Sequence, residues 1–180
     1  MQQTFTKANL QTKAWRKVQT WYRGGKRNEC ENNQCSQLAT MFSQELVKTN
    51  LRLNFRTHTL AEKAKLDKTV DCYDWSETFD RKVVQDNTMY LFNLKFVCDT
   101  GGAQKRTLQL VNFFVDAQYQ YLVKNKETDI VFVNVLDGDF CAKQGDKWLY
   151  LKSLYPNQDR VFVGDMVEFK EWFGQRQSIC

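Results

Sequence analysis

Residues 78–97, TFDRKVVQDNTMYLFNLKFV, decide the fold that we expect for this 180-residue chain. The stretches 78–84 and 89–97 are rich in residues that favour β-strands. The polar tetrapeptide 85–88 lies between them, and its central Asp-Asn pair can adopt the two-residue turn of a hairpin. The pattern therefore predicts two antiparallel strands joined by a tight turn.

Helices and further strands are predicted on both sides of this hairpin in the sequence. Residues 103–124 carry apolar side chains at helical spacing, and residues 130–136 form an apolar run typical of a buried strand, interrupted by Asn134. The other predicted elements are helices over 5–22, 36–49 and 166–173, a strand over 161–163 and a short helix or strand over 147–154, with 52–70 ambiguous. This order predicts an α/β fold with a mixed sheet flanked by helices.

The composition is that of one folded domain spanning residues 1–180. Hydrophobic residues make up 42% of the chain and aromatic residues 14%, which is enough for a core and excludes wholesale disorder. The apolar runs are too short to cross a bilayer, and residues 1–11 lack the pattern of an export signal. The six cysteines are then most simply reduced thiols, and we expect a cytoplasmic protein that does not enter membranes.

Positive charge is concentrated in the first third of the chain. Residues 1–56 form a basic region, predicted to be helical, with ten Lys or Arg and three Glu, in a chain whose net charge is +5. Trp15, Trp21 and Tyr22 lie among these basic residues, a combination that suits nucleic-acid binding. The alternative is a solvated helix face whose lysines bind nothing.

Three polar residues are predicted to converge on one face of the hairpin. Asn93 faces Asp80 across the turn, and Lys95 shares the face of Asn93 because side chains two apart in a strand point the same way. Burying such groups beside a core is costly unless they pair or bind something. The alternative to a binding site is an ordinary salt bridge between Asp80 and a nearby lysine.

These residues fit the chemistry of phosphodiester hydrolysis. Mg²⁺ prefers hard oxygen ligands, which Asp80, the Asn93 amide and the Leu94 carbonyl would supply. Lys95 would orient or help to deprotonate an attacking water and offset charge at the phosphate.

The turn that follows the hairpin has the features of a phosphate-binding site. Gly101 and Gly102 lie between strand and helix, where free amides at a helix start attract anions. Gln104, Lys105 and Arg106 follow immediately and are predicted to contact DNA. The alternative is a plain glycine-containing turn.

The hairpin and its surroundings resemble a known nuclease superfamily. Phe79-Asp80, then Asn93-Leu94-Lys95, a helix and the strand that ends at Leu136 resemble the PD-(D/E)xK superfamily, and the chain is most similar to its type II restriction endonucleases. The resemblance covers residues 78–138. It implies a restriction-endonuclease-like fold and Mg²⁺-dependent cleavage of double-stranded DNA at a short specific sequence, by an enzyme class that often acts as homodimers.

Two positions depart from the superfamily pattern. Phe79 replaces the usual proline, which is a common variation. Asn93 stands where the superfamily usually has Asp or Glu, and the lost negative charge should weaken metal binding. Some restriction enzymes resemble this chain in carrying an amide there, so both an active enzyme and an inactive descendant fit. Glu45, on the predicted second helix, is either an added acidic group of the site or a surface carboxylate.

Other readings of the sequence stay open. Asp71 or Asp74 would be alternative metal ligands, although the hairpin register places Asp74 away from Asn93. A zinc site would need Cys30, Cys35 and His58 together with Cys72, Cys98 or Cys141, which lack finger-like spacing.

Asp137 and Asp139 would either accept hydrogen bonds from cytosine amino groups or form a polar turn around Gly138. Two functions compete with a restriction enzyme: a non-catalytic DNA-binding module on the same fold, and a nuclease of repair or junction resolution.

Overall fold

The computed structural model describes residues 7–26, 28–62 and 73–178, and its centre is a mixed β-sheet flanked by helices. The strands are β1 Val47–Lys48, β2 Leu51–Leu53, β3 Leu60–Glu62, β4 Arg81–Gln85, β5 Thr88–Phe96, β6 Ile130–Asp137 and β7 Val161–Gly164. The helices are α1 Lys13–Lys17, α2 Glu29–Phe42, α3 Gly102–Lys124, α4 Asp139–Ala142, α5 Gly145–Ser153 and α6 Met166–Gln177, and a 3-10 helix covers Ala8–Leu10. The main sheet has the order β1-β4-β5-β6-β7, while β2 and β3 form a separate pair. The predicted α/β class with a mixed sheet is confirmed.

The hairpin of β4 and β5 forms in the predicted register. Gln85 pairs with Thr88, and the pairing continues to Arg81 opposite Phe92. The two loop residues, Asp86 and Asn87, have φ angles of 50° and 62°. Such a turn twists in the same sense as the strands it joins, and short polar side chains tolerate its left-handed conformation.

The connection from β5 to β6 is a parallel crossover through α3. β6 pairs in parallel with β5 on one side and with β7 on the other. All of β6 except its first residue is buried, because α3 covers one face of the sheet and α2 and α6 cover the other. The predicted helix over 103–124 and strand over 130–136 are each confirmed to within one residue.

The predicted helix over 5–22 is wrong. The described part of this segment forms the short 3-10 helix and α1, which is only five residues long. Thr12 separates the two, since its extended backbone and side chain cap the start of α1. The amides of Lys7 and Ala8 and the carbonyl of Gln11 bond to groups at the end of the sheet.

Those bonds hold the N-terminal segment across the ends of β6 and β7. The Asp165 carboxylate accepts the Lys7 and Ala8 amides at 2.9 and 3.0 Å. The Gln11 side chain accepts the Gly138 amide at 2.7 Å, and its carbonyl accepts the Asp139 amide at 3.1 Å. The periodicity of the segment could not reveal this, because every partner lies more than 120 residues away.

The predicted helix over 36–49 has the wrong bounds. α2 begins seven residues earlier, where the Glu29 carboxylate accepts the Arg23, Gly25 and Lys26 amides. It ends at Phe42, followed by Ser43 with a φ of 53°. The chain then pairs with β4 as β1.

The remaining elements settle two ambiguous stretches. The predicted short helix or strand over 147–154 is the helix α5. The described part of 52–70 contains the antiparallel pair of β2 and β3, and residues 63–72 lie outside the described ranges. Within those ranges, none of the helices combines the length and the apolar character that a membrane crossing requires.

Asp137, the last residue of β6, joins two helices to the sheet. Its carboxylate accepts Gln34 Nε2 of α2 at 2.8 Å and the Met166 amide of α6 at 3.2 Å. Burial raises the pKa of Asp137 to about 6, although these hydrogen bonds act in the opposite direction. The carboxyl group is therefore easier to bury protonated than ionised.

We expect Asp137 to make the protein less stable as the pH rises. The folded state keeps this proton up to a pKa of about 6, whereas the reference pKa is 3.8, so stability is present at low pH and is lost as the pH rises through this window. The free energy of unfolding should fall by about 2 kcal/mol between pH 4 and pH 7 from this group alone. Urea unfolding of Asp137→Asn should lack this contribution.

Asp129→Asn, at an exposed loop position, is the matched control and should keep the wild-type pH profile. A profile of Asp137→Asn that parallels the wild type would contradict the prediction.

Candidate functional site

The structure places Asp80, Asn93 and Lys95 at the same end of the hairpin. Asp80 immediately precedes β4, and its amide donates to the Phe92 carbonyl at 2.8 Å. Its carboxylate oxygen Oδ2 accepts the Leu94 amide at 2.7 Å. The carboxylate is thus fixed against the strand that carries Asn93 and Lys95.

The Leu94 carbonyl lies on the same edge of β5 as the Asp80 carboxylate. In an antiparallel pair, the N–H and C=O of one residue point to the same neighbouring strand, and the Leu94 N–H points to Asp80. Pairing of β4 with β5 stops at Arg81 opposite Phe92. Leu94 therefore lies just beyond the paired region, where its carbonyl and the Asp80 carboxylate flank the same space.

Asn93 is buried against other amides. Its exposed fraction is 2%, and its Nδ2 donates to Asn134 Oδ1 on β6 at 3.0 Å. Asn134 in turn bonds with Gln118 of α3. The sequence signalled Asn134 only as an interruption of an apolar strand, and nothing in the helical pattern singled out Gln118.

Lys95 forms its ion pair with Glu77, a residue that the sequence did not single out. Lys95 Nζ lies 3.0 Å from Glu77 Oε2, and Glu77 is mostly exposed. Among the described residues, Asp80 forms no ion pair within 4.0 Å, so the alternative of a direct salt bridge between Asp80 and a lysine does not apply there. Lys95 acts on Asp80 through space instead.

The carboxylates around Lys95 keep its side chain charged. Burial raises the pKa of Asp80, while the Lys95 ammonium and the Leu94 amide lower it, and burial dominates. For Lys95, burial alone would lower the pKa, but the carboxylates of Asp80, Glu77 and Glu31 outweigh it, and the pKa is raised. The ammonium therefore stays protonated at neutral pH and acts as a positive charge.

The acidic side chain that α2 brings to this site is Glu31, not Glu45. Glu31 Oε1 lies 2.9 Å from Arg81 Nη2, and Arg81 Nη1 donates to the Asp80 carbonyl at 2.7 Å. Glu45 comes after the end of α2 and is exposed. The prediction that Glu45 lies on the second helix was wrong because α2 ends three residues earlier.

Lys95 lies between two cavities. The Asn93 cavity has a volume of about 320 Å³ and is lined by Asn93, Lys95, Glu77, Trp75, Thr107 and Phe114, among others. The Gln104 cavity has a volume of about 480 Å³ and is lined by Gln104, Lys95, Thr107, Arg16, Tyr22 and Lys26, among others. Lys95 and Thr107 line both cavities.

The predicted turn before α3 is a helix start. Gly101 precedes α3 and Gly102 is its first residue. The Gln104 side chain folds back over Gly101, where an added Cβ would lie 2.5 Å from Gln104 Oε1. Lys105 and Arg106 are exposed, and Lys105 lines a separate cavity of about 720 Å³ between α3 and α5. The glycine at 101 thus lets Gln104 pack against the turn.

The remaining candidate residues form bonds within the protein or lie outside the described ranges. Asp74 pairs with Arg56 at 3.2 Å, and Asp71 falls outside the described ranges. Asp137 and Asp139 are buried and accept hydrogen bonds within the protein, as in the polar-turn interpretation.

Cysteine and histidine side chains form no metal centre in the part of the chain that the structure describes. The thiols of Cys30, Cys35, Cys98 and Cys141 are free. Within the same ranges, no three His, Cys, Asp or Glu side chains converge as metal ligands. A cation at Asp80 would thus depend on one carboxylate together with amide and main-chain oxygens.

Comparisons of the chain with protein-family models, with curated proteins and with solved structures give no match. Its function must therefore be argued from its own residues.

Replacing Asn93 by Asp should destabilise the metal-free protein. A carboxylate has no N–H, so one oxygen would take the place of Nδ2 and face Asn134 Oδ1, which lies 3.0 Å away in the wild type. The two oxygens would face each other without a proton between them, and Asn134 Oδ1 would keep only Gln118 Nε2 as a donor, at a cost of about 1–3 kcal/mol. Urea unfolding in the presence of EDTA measures this change.

Asn157→Asp, in an exposed loop, introduces the same charge away from the core and should change stability little. An Asn93→Asp protein as stable as the wild type would show that Asn134 does not require a donor at this position.

Proposed function

We propose that the chain is a Mg²⁺-dependent endonuclease that hydrolyses phosphodiester bonds of double-stranded DNA at a short specific sequence, in the manner of a type II restriction enzyme. The observation that carries this proposal is the Asp80 carboxylate bound to the Leu94 amide at 2.7 Å, beside a protonated Lys95. Leu94 and Lys95 line the Gln104 cavity, and Asn93 and Lys95 line the Asn93 cavity. This is an oxygen-rich site with a fixed positive charge.

The arrangement of the elements supports the proposal. A helix, α2, precedes an antiparallel hairpin, and α3 then crosses to the parallel strand β6. The resemblance to the PD-(D/E)xK superfamily implies this order of helix, hairpin, crossover helix and strand. It also implies metal ligands at the end of the hairpin, where Asp80, Asn93 and Leu94 lie.

The available oxygen atoms fit Mg²⁺, which keeps several waters and accepts few protein ligands. Asp80 Oδ1 and Asn93 Oδ1 accept no hydrogen bond from the described residues, and the Leu94 carbonyl points to the same edge of β5 as the Asp80 carboxylate. Bound there, Mg²⁺ would lower the pKa of a water and offset charge at the phosphate.

Lys95 holds and stabilises the reacting groups in this proposal. Hydrolysis forms a bond from a water oxygen to phosphorus and breaks the bond from phosphorus to a sugar oxygen. The attacking water gives up its proton to solvent, the leaving sugar oxygen takes one from solvent, and negative charge grows on the phosphate. The Lys95 ammonium, kept protonated by the carboxylates around it, offsets that charge and donates a hydrogen bond to the water. Because its pKa is raised, it acts as a charge rather than as the base.

Basic and amide side chains around the Gln104 cavity provide a path for the DNA backbone. Arg16 stacks on Tyr22 at 5.0 Å and lines the cavity together with Lys26 and Gln104. The α3 start adds Gly101, Gly102, Lys105 and Arg106 as phosphate or groove contacts. Cutting both strands at one position requires two such sites, which a homodimer would provide.

A non-catalytic DNA-binding module is the second candidate, and one observation favours it. The position that usually carries Asp or Glu in the superfamily is the neutral, buried Asn93, which leaves one carboxylate for the metal. A repair or junction nuclease would share the chemistry and differ in substrate. Cleavage at one short sequence favours the restriction enzyme, and structure-selective cleavage favours repair.

Plasmid cleavage with Mg²⁺ tests the enzyme. We expect the wild type to give discrete fragments, and Asp80→Ala and Lys95→Ala to reduce the rate by about 100-fold or more, because each removes a group at the reacting phosphate. Lys152→Ala, an exposed lysine of α5, should cut as the wild type does. Circular dichroism checks that the variants fold.

If the wild type binds DNA in a salt-sensitive way but does not cut it, the enzyme proposal is wrong and the binding module is favoured.

The contribution of the α3 start to DNA binding can be measured separately. Lys105→Ala and Arg106→Ala should each weaken binding, and each lost phosphate contact should reduce the slope of log affinity against log salt by about 0.9. Lys126→Ala, just past the other end of α3, removes the same charge as a control. If all three variants and the wild type have equal slopes, the α3 start does not contact DNA.

A further inference from the structure

A buried chain of three side-chain amides links α3, β6 and β5. The exposed fractions of Asn93, Asn134 and Gln118 are 2%, 0% and 0%. Asn134 Oδ1 accepts Asn93 Nδ2 at 3.0 Å and Gln118 Nε2 at 3.1 Å, while Asn134 Nδ2 donates to Gln118 Oε1 at 2.7 Å. Buried polar groups in a core are costly unless they are satisfied, so this chain has a structural or functional reason to be there.

The orientation of all three side-chain amides is set by one main-chain carbonyl. Asn134 Nδ2 also donates to the Phe162 carbonyl of β7 at 3.1 Å. A carbonyl oxygen only accepts, so Asn134 must direct its NH₂ group to β7 and its oxygen to β5. Asn93 must then donate to that oxygen, which places Asn93 Nδ2 toward Asn134 and Asn93 Oδ1 on the opposite side.

The Asn93 oxygen is consequently left without a donor among the described residues. Asn93 Oδ1 accepts no hydrogen bond from the residues that the structure describes, and it is not among their buried unpaired atoms. Asn93 lines the Asn93 cavity together with Lys95. The free atom of this amide is thus the one that a hard cation prefers.

We propose that Asn134 and Gln118 are positioning residues that turn the Asn93 carbonyl oxygen toward a divalent cation bound at Asp80. The inference rests on the proposed cation site and adds the reason for an amide there. A carboxylate at position 93 would oppose the Asn134 oxygen, whereas an amide satisfies it and still offers one oxygen to the cation. Residues that orient a metal ligand in this way usually change metal affinity by about 10–100-fold when replaced.

Two substitutions of similar shape separate positioning from packing. Asn134→Leu removes the hydrogen bond that Asn134 makes with the Asn93 side chain. Asn134→Asp keeps an acceptor toward Asn93 in either protonation state, although it loses the donor pair that Asn134 Nδ2 provides. Both variants should be less stable than the wild type, so loss of stability alone does not distinguish them.

The experiment is a titration of each full-length protein with Mn²⁺, with free Mn²⁺ measured by electron paramagnetic resonance in the absence of DNA. Mn²⁺ takes the same oxygen ligands as Mg²⁺ and has a direct signal. We expect the wild type to show one saturable site that Asp80→Ala abolishes. Asn134→Leu should bind Mn²⁺ about 10-fold more weakly or worse, and Asn134→Asp should stay within about threefold of the wild type.

The outcomes distinguish this inference from the proposed function. A wild type without a site that depends on Asp80 overturns both. A wild type that binds, together with a folded Asn134→Leu that binds equally well, overturns the positioning role alone. Equal weakening in Asn134→Leu and Asn134→Asp also overturns it, because the retained acceptor would then have no effect.

If Asn134→Leu does not fold, Asn134→Ala replaces it. This change also removes the acceptor of Asn93 Nδ2, so weaker Mn²⁺ binding by a folded protein supports the inference and unchanged binding overturns it.

Discussion

The hydrogen bond from the Leu94 amide to the Asp80 carboxylate is the interaction on which the candidate site depends. It lies where main-chain pairing of β4 and β5 stops, so a side-chain oxygen continues the ladder in place of a carbonyl. As a result, the carboxylate is attached to the same strand that carries Asn93 and Lys95. The positions of all three groups then follow from the register of one hairpin, and the charge on Asp80 helps to keep Lys95 protonated.

The parts of the fold that the sequence predicted well are those determined by local interactions. The Asp-Asn turn fixes the register of the hairpin, and the apolar stripe of α3 and the buried run of β6 are each long and regular. The N-terminal segment was mispredicted because its main chain bonds to Asp165 and Asp139, and its Gln11 side chain to Gly138, all far along the chain. Distant partners of this kind leave no periodic signal.

The same distinction applies to the site. Asp80, Asn93 and Lys95 could be placed together because strand geometry relates their positions. Glu31 and Gln118 could not, since each reaches the site from a helix whose packing on the sheet had to be known first. Asn134 was visible as a polar residue in an apolar strand, but its partners were not. Polar interruptions in otherwise apolar strands therefore identify buried networks without saying what these networks orient.

The N-terminal segment also determines which part of the sheet end is accessible. In open α/β sheets, ligands usually bind beyond the carboxyl ends of parallel strands, and β5, β6 and β7 all end on the same side. Here, residues 7–11 cover the ends of β6 and β7 through Asp165 and Gln11. The N-terminal segment thus closes the sheet end at β6 and β7, and under the proposed function a substrate would approach from the β4 side of β5 rather than over the centre of the sheet.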